Sequence, residues 1–140
     1  SQNNFNQAKI AFEKAIATEP DNYLIMNNYA YYLALRNDEL TKAAKYAETA
    51  AHAMPNNSSV ADTYAFILFK QQKYDLAKTW IEKALQNNSS KNGVYLERYG
   101  DILFMKGEKD AALIQWQKAK EAGNGSEVLI KKINEKKYFK

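Results

Sequence analysis

The 140-residue chain contains no cysteine, one histidine, two prolines and five glycines. Without thiols there is no disulfide framework, no thiolate metal site and no cysteine nucleophile, and cytosol and periplasm both suit such a chain. The lone histidine, His52, has no second histidine or cysteine with which to complete a usual transition-metal set. It sits in AAHAMP at a helix end, where the dipole mildly favours a cation. Carboxylates are scattered without an obvious acid–base pair, and neither GxGxxG nor GxxxxGKS/T occurs. The expectation is a non-enzymatic chain with no cofactor, no metal and no small-molecule substrate. No apolar run approaches the ~20 residues needed to cross a bilayer, and the start is not signal-like. The chain opens mid-pattern, SQNNFNQAKIAFEKA, as though cut from a longer parent, and any targeting signal of that parent would not be visible here.

What is present fits one globular domain: 46% hydrophobic and 26% charged residues over a length that suits a single core. The net charge is +4, but residues 126–140 hold five lysines (131, 132, 136, 137 and 140) against Glu127 and Glu135, leaving about +1 for the rest. The basicity belongs to the tail. Nucleic acid and membrane are therefore not the expected partners, although a basic amphipathic tail would allow salt-sensitive, unspecific contact with either.

The chain repeats itself. Tyr29, Tyr64 and Tyr99 are spaced by 35 and 35, as are Leu33, Leu68 and Leu103, and Ala30, Ala65 and Gly100. Ala8, Ala43, Ala77 and Ala112 follow at 35, 34 and 35, and Ala15, Ala50, Ala84 and Ala119 keep the same series. Within each unit the apolar residues recur at three- and four-residue steps, the mark of amphipathic helices. Pro20-Asp21-Asn22 and Pro55-Asn56-Asn57 stop one helix and offer capping side chains to the next. The spacing predicts helices over 5–18, 23–36, 39–54, 58–71, 74–87, 93–106, 109–122 and 126–138. Asn57, Asn88 and Asn124 begin formal glycosylation sequons, but asparagine and serine are ordinary turn residues here.

YDLAKTWIEKAL (74–85) and RYGDILFMKGEKDAALIQWQKA (98–119) resemble the tetratricopeptide repeat, a helix-turn-helix unit of 34 residues. The matches are Tyr99-Gly100, Leu103, Ala112, Trp116 and Ala119 in one unit and Tyr64-Ala65, Leu68, Ala77, Ile81 and Ala84 in the one before. Tyr29-Ala30, Leu33, Ala43, Ala47, Ala50 and Pro55 match in the first, while Phe5, Ala8, Phe12, Ala15 and Pro20 match only a second helix. Departures are a small Ala47 where bulk is usual, a lost proline at Ser89 and Asn124, and one extra residue near Asn37–Leu40. The resemblance implies an all-α fold, a right-handed α-α superhelix (solenoid) of antiparallel hairpins. A truncated second helix (5–20) would precede units at 23–55, 58–89 and 93–122 and a capping helix at 126–139. The Asn, Lys and Tyr richness and the terse repeats suggest a bacterial source, and the opening mid-pattern suggests the C-terminal fragment of a longer protein.

Columns sort the aromatics. Tyr29, Tyr64 and Tyr99 repeat identically and read as packing residues, whereas Tyr32, Ile67 and Ile102 are always apolar and read as contacts between repeats. The face that varies comprises Leu24, Asn27, Tyr31, Ala34 and Leu35; Ser59, Asp62, Phe66, Phe69 and Lys70; and Val94, Glu97, Asp101, Phe104 and Met105. In the resembled family first helices line the concave side, which would turn this face into a groove. The candidate groove residues are Leu24, Asn27, Tyr31, Asp62, Phe66, Phe69, Val94, Glu97, Asp101, Phe104 and Met105. Aromatics and methionine suit peptide or helix recognition, and Asp62, Glu97 and Asp101 would add an acidic edge favouring a basic partner. The competing expectation is that these aromatics pack on the chain's own second helices.

In the resembled family, clamps for a terminal carboxylate use Lys and Asn on successive first helices. Here those places hold Asn27, Tyr31, Thr63, Val94 and Arg98, and only Arg98 fits. The expected function is a protein-interaction scaffold, with a structural spacer or C-terminal module of a larger protein as the alternative. The helix at 5–18 lacks its pair, so its side around Ala8, Phe12 and Ala15 offers a route to a homodimer.

Overall fold

Asparagines 35 residues apart start the helices. Asn22, Asn57 and Asn92 each accept a backbone N–H through the side chain, from Ile25 (3.2 Å), Val60 (3.0 Å), and Val94 and Tyr95 (both 3.0 Å). Ser126 does the same for Leu129 at 3.2 Å. The computed structural model describes residues 2–86 and 90–140. Among these residues it contains eight helices and no strand: α1 (Gln2–Thr18), α2 (Tyr23–Leu35), α3 (Leu40–Ala53), α4 (Ser58–Lys70), α5 (Tyr74–Gln86), α6 (Gly93–Met105), α7 (Lys109–Glu121) and α8 (Glu127–Glu135). The predicted helix end at 87, the lost proline at Ser89 and the sequon at Asn88 fall outside the described residues.

Turns inside the units repeat as faithfully as the caps. Asn37, Gln72 and Gly107 take left-handed backbones (φ 52°, 62° and 88°). The next N–H then reaches back to Leu33, Leu68 or Leu103 at 3.0, 2.9 and 2.9 Å, satisfying a carbonyl that the helix end would orphan. The extra residue of the first unit appears at Glu39, also left-handed (φ 46°), where it and Asp38 hold the Lys9 ammonium at 2.6 and 3.0 Å.

Small residues let paired helices close. Ala30 and Ala43, Ala65 and Ala77, and Gly100 and Ala112 are all buried, on α2 and α3, α4 and α5, and α6 and α7, which pack as antiparallel pairs. Opposite the first column the sizes compensate: Ala47, Ile81 and Trp116 face units carrying Ala30, Ala65 and Gly100, and Gly100 lies directly under the Trp116 indole. Beside the small Ala47 on α3, Tyr46 places its ring 5.5 Å from Tyr29. Successive units are joined by a second periodic bond. The Tyr29, Tyr64 and Tyr99 phenols donate to Glu13 (2.7 Å), Glu48 (3.0 Å) and Glu82 (2.7 Å) on the preceding second helix. Burial first, and the facing carboxylate next, push all three phenols above their ordinary range, Tyr64 to about 12.

α1 covers α2 with Phe5 and Phe12, whose rings lie 5.2 Å from Tyr32 and 5.0 Å from Tyr29. Phe12 therefore faces inward rather than lying on the free side; Ala8 and Ala15 are only half-covered, and Ile10 is the large exposed apolar residue. At the other end α8 stops at Glu135, three residues before the predicted boundary. Lys136 turns left-handed (φ 54°) and the Lys137 N–H closes on Lys132 O at 3.2 Å, sending residues 137–140 back across the fold.

Candidate partner-binding groove

The first helices of the pairs run against each other, α2 on α4 and α4 on α6, and so form the inner side of the stack. Tyr31 and Phe66 meet there at 5.7 Å, and Tyr31 stays 39% exposed. The face of Phe66 is covered by the Arg98 guanidinium (4.3 Å) and the Lys70 ammonium (4.9 Å). Beyond it lies a cavity of about 450 Å³ walled by Phe66, Phe69, Lys70, Tyr74 and Met105, with Asn37 and Gln72 at its edge and Tyr138 and Lys140 from the tail. Leu24, Val94 and Met105 are exposed, and Asn27 is buried with its side-chain oxygen unpaired by protein atoms.

The three carboxylates expected as an acidic edge are engaged inside the fold. Asp62 receives Arg98 in a two-pronged bond, Nε to Oδ1 at 2.6 Å and Nη2 to Oδ2 at 3.3 Å. Glu97 accepts from Lys132 Nζ at 2.6 Å and from Asn124 Nδ2 at 2.9 Å. Asp101 accepts from Trp116 Nε1 at 3.0 Å and from Lys132 at 2.9 and 3.1 Å. Burial raises the Asp101 carboxyl to about 6 against the pull of Lys132, with Glu97 adding to the rise. The sequence shows the tail lysines only as one basic stretch. Lys132 is instead 3% exposed, because it is the charged link that docks α8 onto α6.

The aromatics divide between the two expectations. Phe104 stacks on Trp116 of its own second helix at 5.7 Å, and Phe69 sits between Tyr74 of α5 and Tyr138 of the tail, both 5.6 Å away. Tyr31, Phe66 and Met105 keep an outward side. The acid column Glu13, Glu48 and Glu82 is legible in the sequence, since its spacing of 35 and 34 matches the alanine series, and the Tyr column expected to pack also donates to it. His52 stands edge-on to Trp80 at 5.5 Å. Among the described residues no three metal-ligating side chains cluster, and no helix is long and apolar enough to cross a membrane.

Antiparallel helix pairs stacked about a shared inner face define an α-solenoid of helical repeats. The tetratricopeptide repeat model matches residues 1–58 and 67–127, and the chain belongs to that family. Solved structures show the same fold. A crystal structure of MamA is 14% identical over 96% of this chain and 78% of that one (TM-score 0.82). MamA from Desulfovibrio magneticus RS-1 is 14% identical over 90% and 70% (TM-score 0.77). The first such domain of RPAP3 (Spaghetti), solved with the HSP90 peptide SRMEEVD, is 14% identical over 81% and 89% (TM-score 0.74). No curated protein matches the chain. The family's fold is a non-enzymatic scaffold for protein–protein interaction.

Proposed function

We propose that this chain binds a peptide or helix of a partner protein along the inner face formed by α2, α4 and α6. The observation that carries the reading is the exposed pair Tyr31 and Met105, which with half-buried Phe66 borders a cavity lined by aromatic and basic side chains although the neighbouring carboxylates are already paired. A peptide-bound neighbour of the same fold supports the mode of binding. The chemistry differs from a carboxylate clamp: Thr63 is buried and donates to Ser59 O, Asn27 is buried, and Arg98 is spent on Asp62. With Asp62, Glu97 and Asp101 neutralised inside, nothing at this face selects for a basic partner.

Photo-crosslinking tests this in the source cells. A benzoylphenylalanine at Tyr31 or Met105 is expected to capture a discrete protein, whereas one at the exposed Ile114 of α7 captures none. Equal labelling from all three positions refutes the groove. Self-packing of Phe69 and Phe104 favours a second reading, a structural spacer, which predicts no discrete adduct from any position.

A further inference from the structure

The segment after α8 carries no helix and yet lies in the groove. Tyr138 sets its ring 5.6 Å from Phe69 at a steep angle (69°), and the Lys132 ammonium lies 5.2 Å from the centroid of that same Tyr138 ring. Phe139 rests under Lys131 at 4.4 Å. Tyr138 and Lys140 form one wall of the cavity whose other walls are Phe66, Phe69, Lys70 and Met105. Among the described residues no backbone–backbone hydrogen bond ties residues 138–140 to the groove. The attachment is made of ring–ring and ammonium–ring contacts, and it brings one unfavourable pair: Lys140 and Lys70 line the same cavity, with no Asp or Glu side chain among its lining residues. Burial, then the charges of Lys140 and Arg98, hold the Lys70 amine below its ordinary range, and burial raises the Tyr138 phenol.

We infer that residues 136–140 are a displaceable strap, a resident mimic of the partner that occupies the inner face until a peptide with an aromatic residue followed by an acidic one takes its place. The inference rests on the groove reading above. An incoming aromatic would take the Phe69 contact of Tyr138, and its acidic neighbour would meet Lys70 where Lys140 now repels it. The strap is tethered, so its local concentration is high and it competes despite weak contacts. Its like-charge end weakens the seated state enough for a partner to displace it.

Two variants push the balance in opposite directions, and neither touches the core. Tyr138→Ser with Phe139→Ser removes the strap's rings, whereas Lys140→Glu supplies the missing counter-charge to Lys70 and tightens it. The probe is the capped peptide Glu-Lys-Lys-Tyr-Phe-Glu, titrated into ¹⁵N-labelled chain, with amide shifts on α2 and α4 reporting the site. A strap seated nine-tenths of the time weakens the apparent affinity about tenfold, so the double serine variant is expected to bind about tenfold tighter than the parent. Lys140→Glu is expected to bind several-fold more weakly than the parent. The parent should also show a Tyr138–Phe69 ring NOE that survives in Lys140→Glu and vanishes in the serine variant. Equal affinities in all three chains, no peptide-induced shifts on α2 and α4, or no Tyr138–Phe69 NOE in the parent overturns the strap. The groove itself is judged separately, by the crosslink from Tyr31.

Discussion

Gly100→Ala isolates the closest helix approach in the fold. A Cβ built on Gly100 falls against Cδ1 and Nε1 of Trp116 and 3.0 Å from its Cγ. The indole cannot simply step back. It is 1% exposed, is stacked against Phe104 at 5.7 Å, and donates to Asp101 at 3.0 Å. Overpacking of this kind costs about 1–3 kcal/mol. Pulling the indole N–H off a buried carboxylate adds about 1–3 kcal/mol. Alanine's better helix propensity returns only about 0.5–1 kcal/mol. The net expectation is a loss of about 2–4 kcal/mol, or roughly 10 °C in Tm for a chain of this size. The middle unit suggests the rescue, since it carries Ala65 and Ile81 at the equivalent positions, both fully buried. In a Trp116→Ile background, Gly100→Ala should cost almost nothing, giving a coupling of about 2–4 kcal/mol in a double-mutant cycle. Urea unfolding followed by far-UV circular dichroism reads all four chains. An unchanged or raised Tm for the single Gly100→Ala variant, or additive effects in the cycle, would refute the reasoning.

Three further outcomes can be checked. Tyr64→Phe removes the phenol that donates to Glu48 and should cost about 1–2 kcal/mol by urea unfolding, with helix content unchanged. The phenols of Tyr29, Tyr64 and Tyr99 have folded pKa values raised above the unfolded one, so the stability they contribute is complete below about pH 10 and lost as pH climbs past the ordinary phenol range, through about 12 for Tyr64. A spectrophotometric titration at 295 nm should show their late ionisation coinciding with loss of helix, and early ionisation of all ten tyrosines would contradict it. Lys132→Ala leaves Glu97 and Asp101 without their buried cation, a change worth up to about 3–5 kcal/mol, limited by what it takes to undock α8. Hydrogen exchange should therefore quicken in α8 while α2–α5 keep their protection; uniform quickening along the chain would count against a separable latch.

Most of the fold was legible because it is made by short-range rules repeated in register. Asn22, Asn57 and Asn92 announce helix starts through side chains that reach only three residues ahead, and Asn37, Gln72 and Gly107 close helices by a turn that spans six. Periodicity then exposed the packing columns, since any position that meets the same neighbour in every unit keeps the same size. The candidate site was less legible for the opposite reason. Its pairs join residues far apart, Asp62 to Arg98, Glu97 and Asp101 to Lys132, and Phe69 to Tyr138, and none of them repeats. Composition could flag Asp62, Glu97 and Asp101 as an acidic edge, but which cation would neutralise them depended on the docking of α8.

The sequence by itself determined the helices, their caps and turns, and the columns of small and large residues that force them to stack, because each of those is set by neighbours within one repeat length. Only the tertiary structure decided which groove residues remain open, that Lys132 is buried, and that the tail turns back at Lys136 to lie on Phe69. Those outcomes follow from competition among distant side chains for the same space and charge, and that competition has no local trace in the chain.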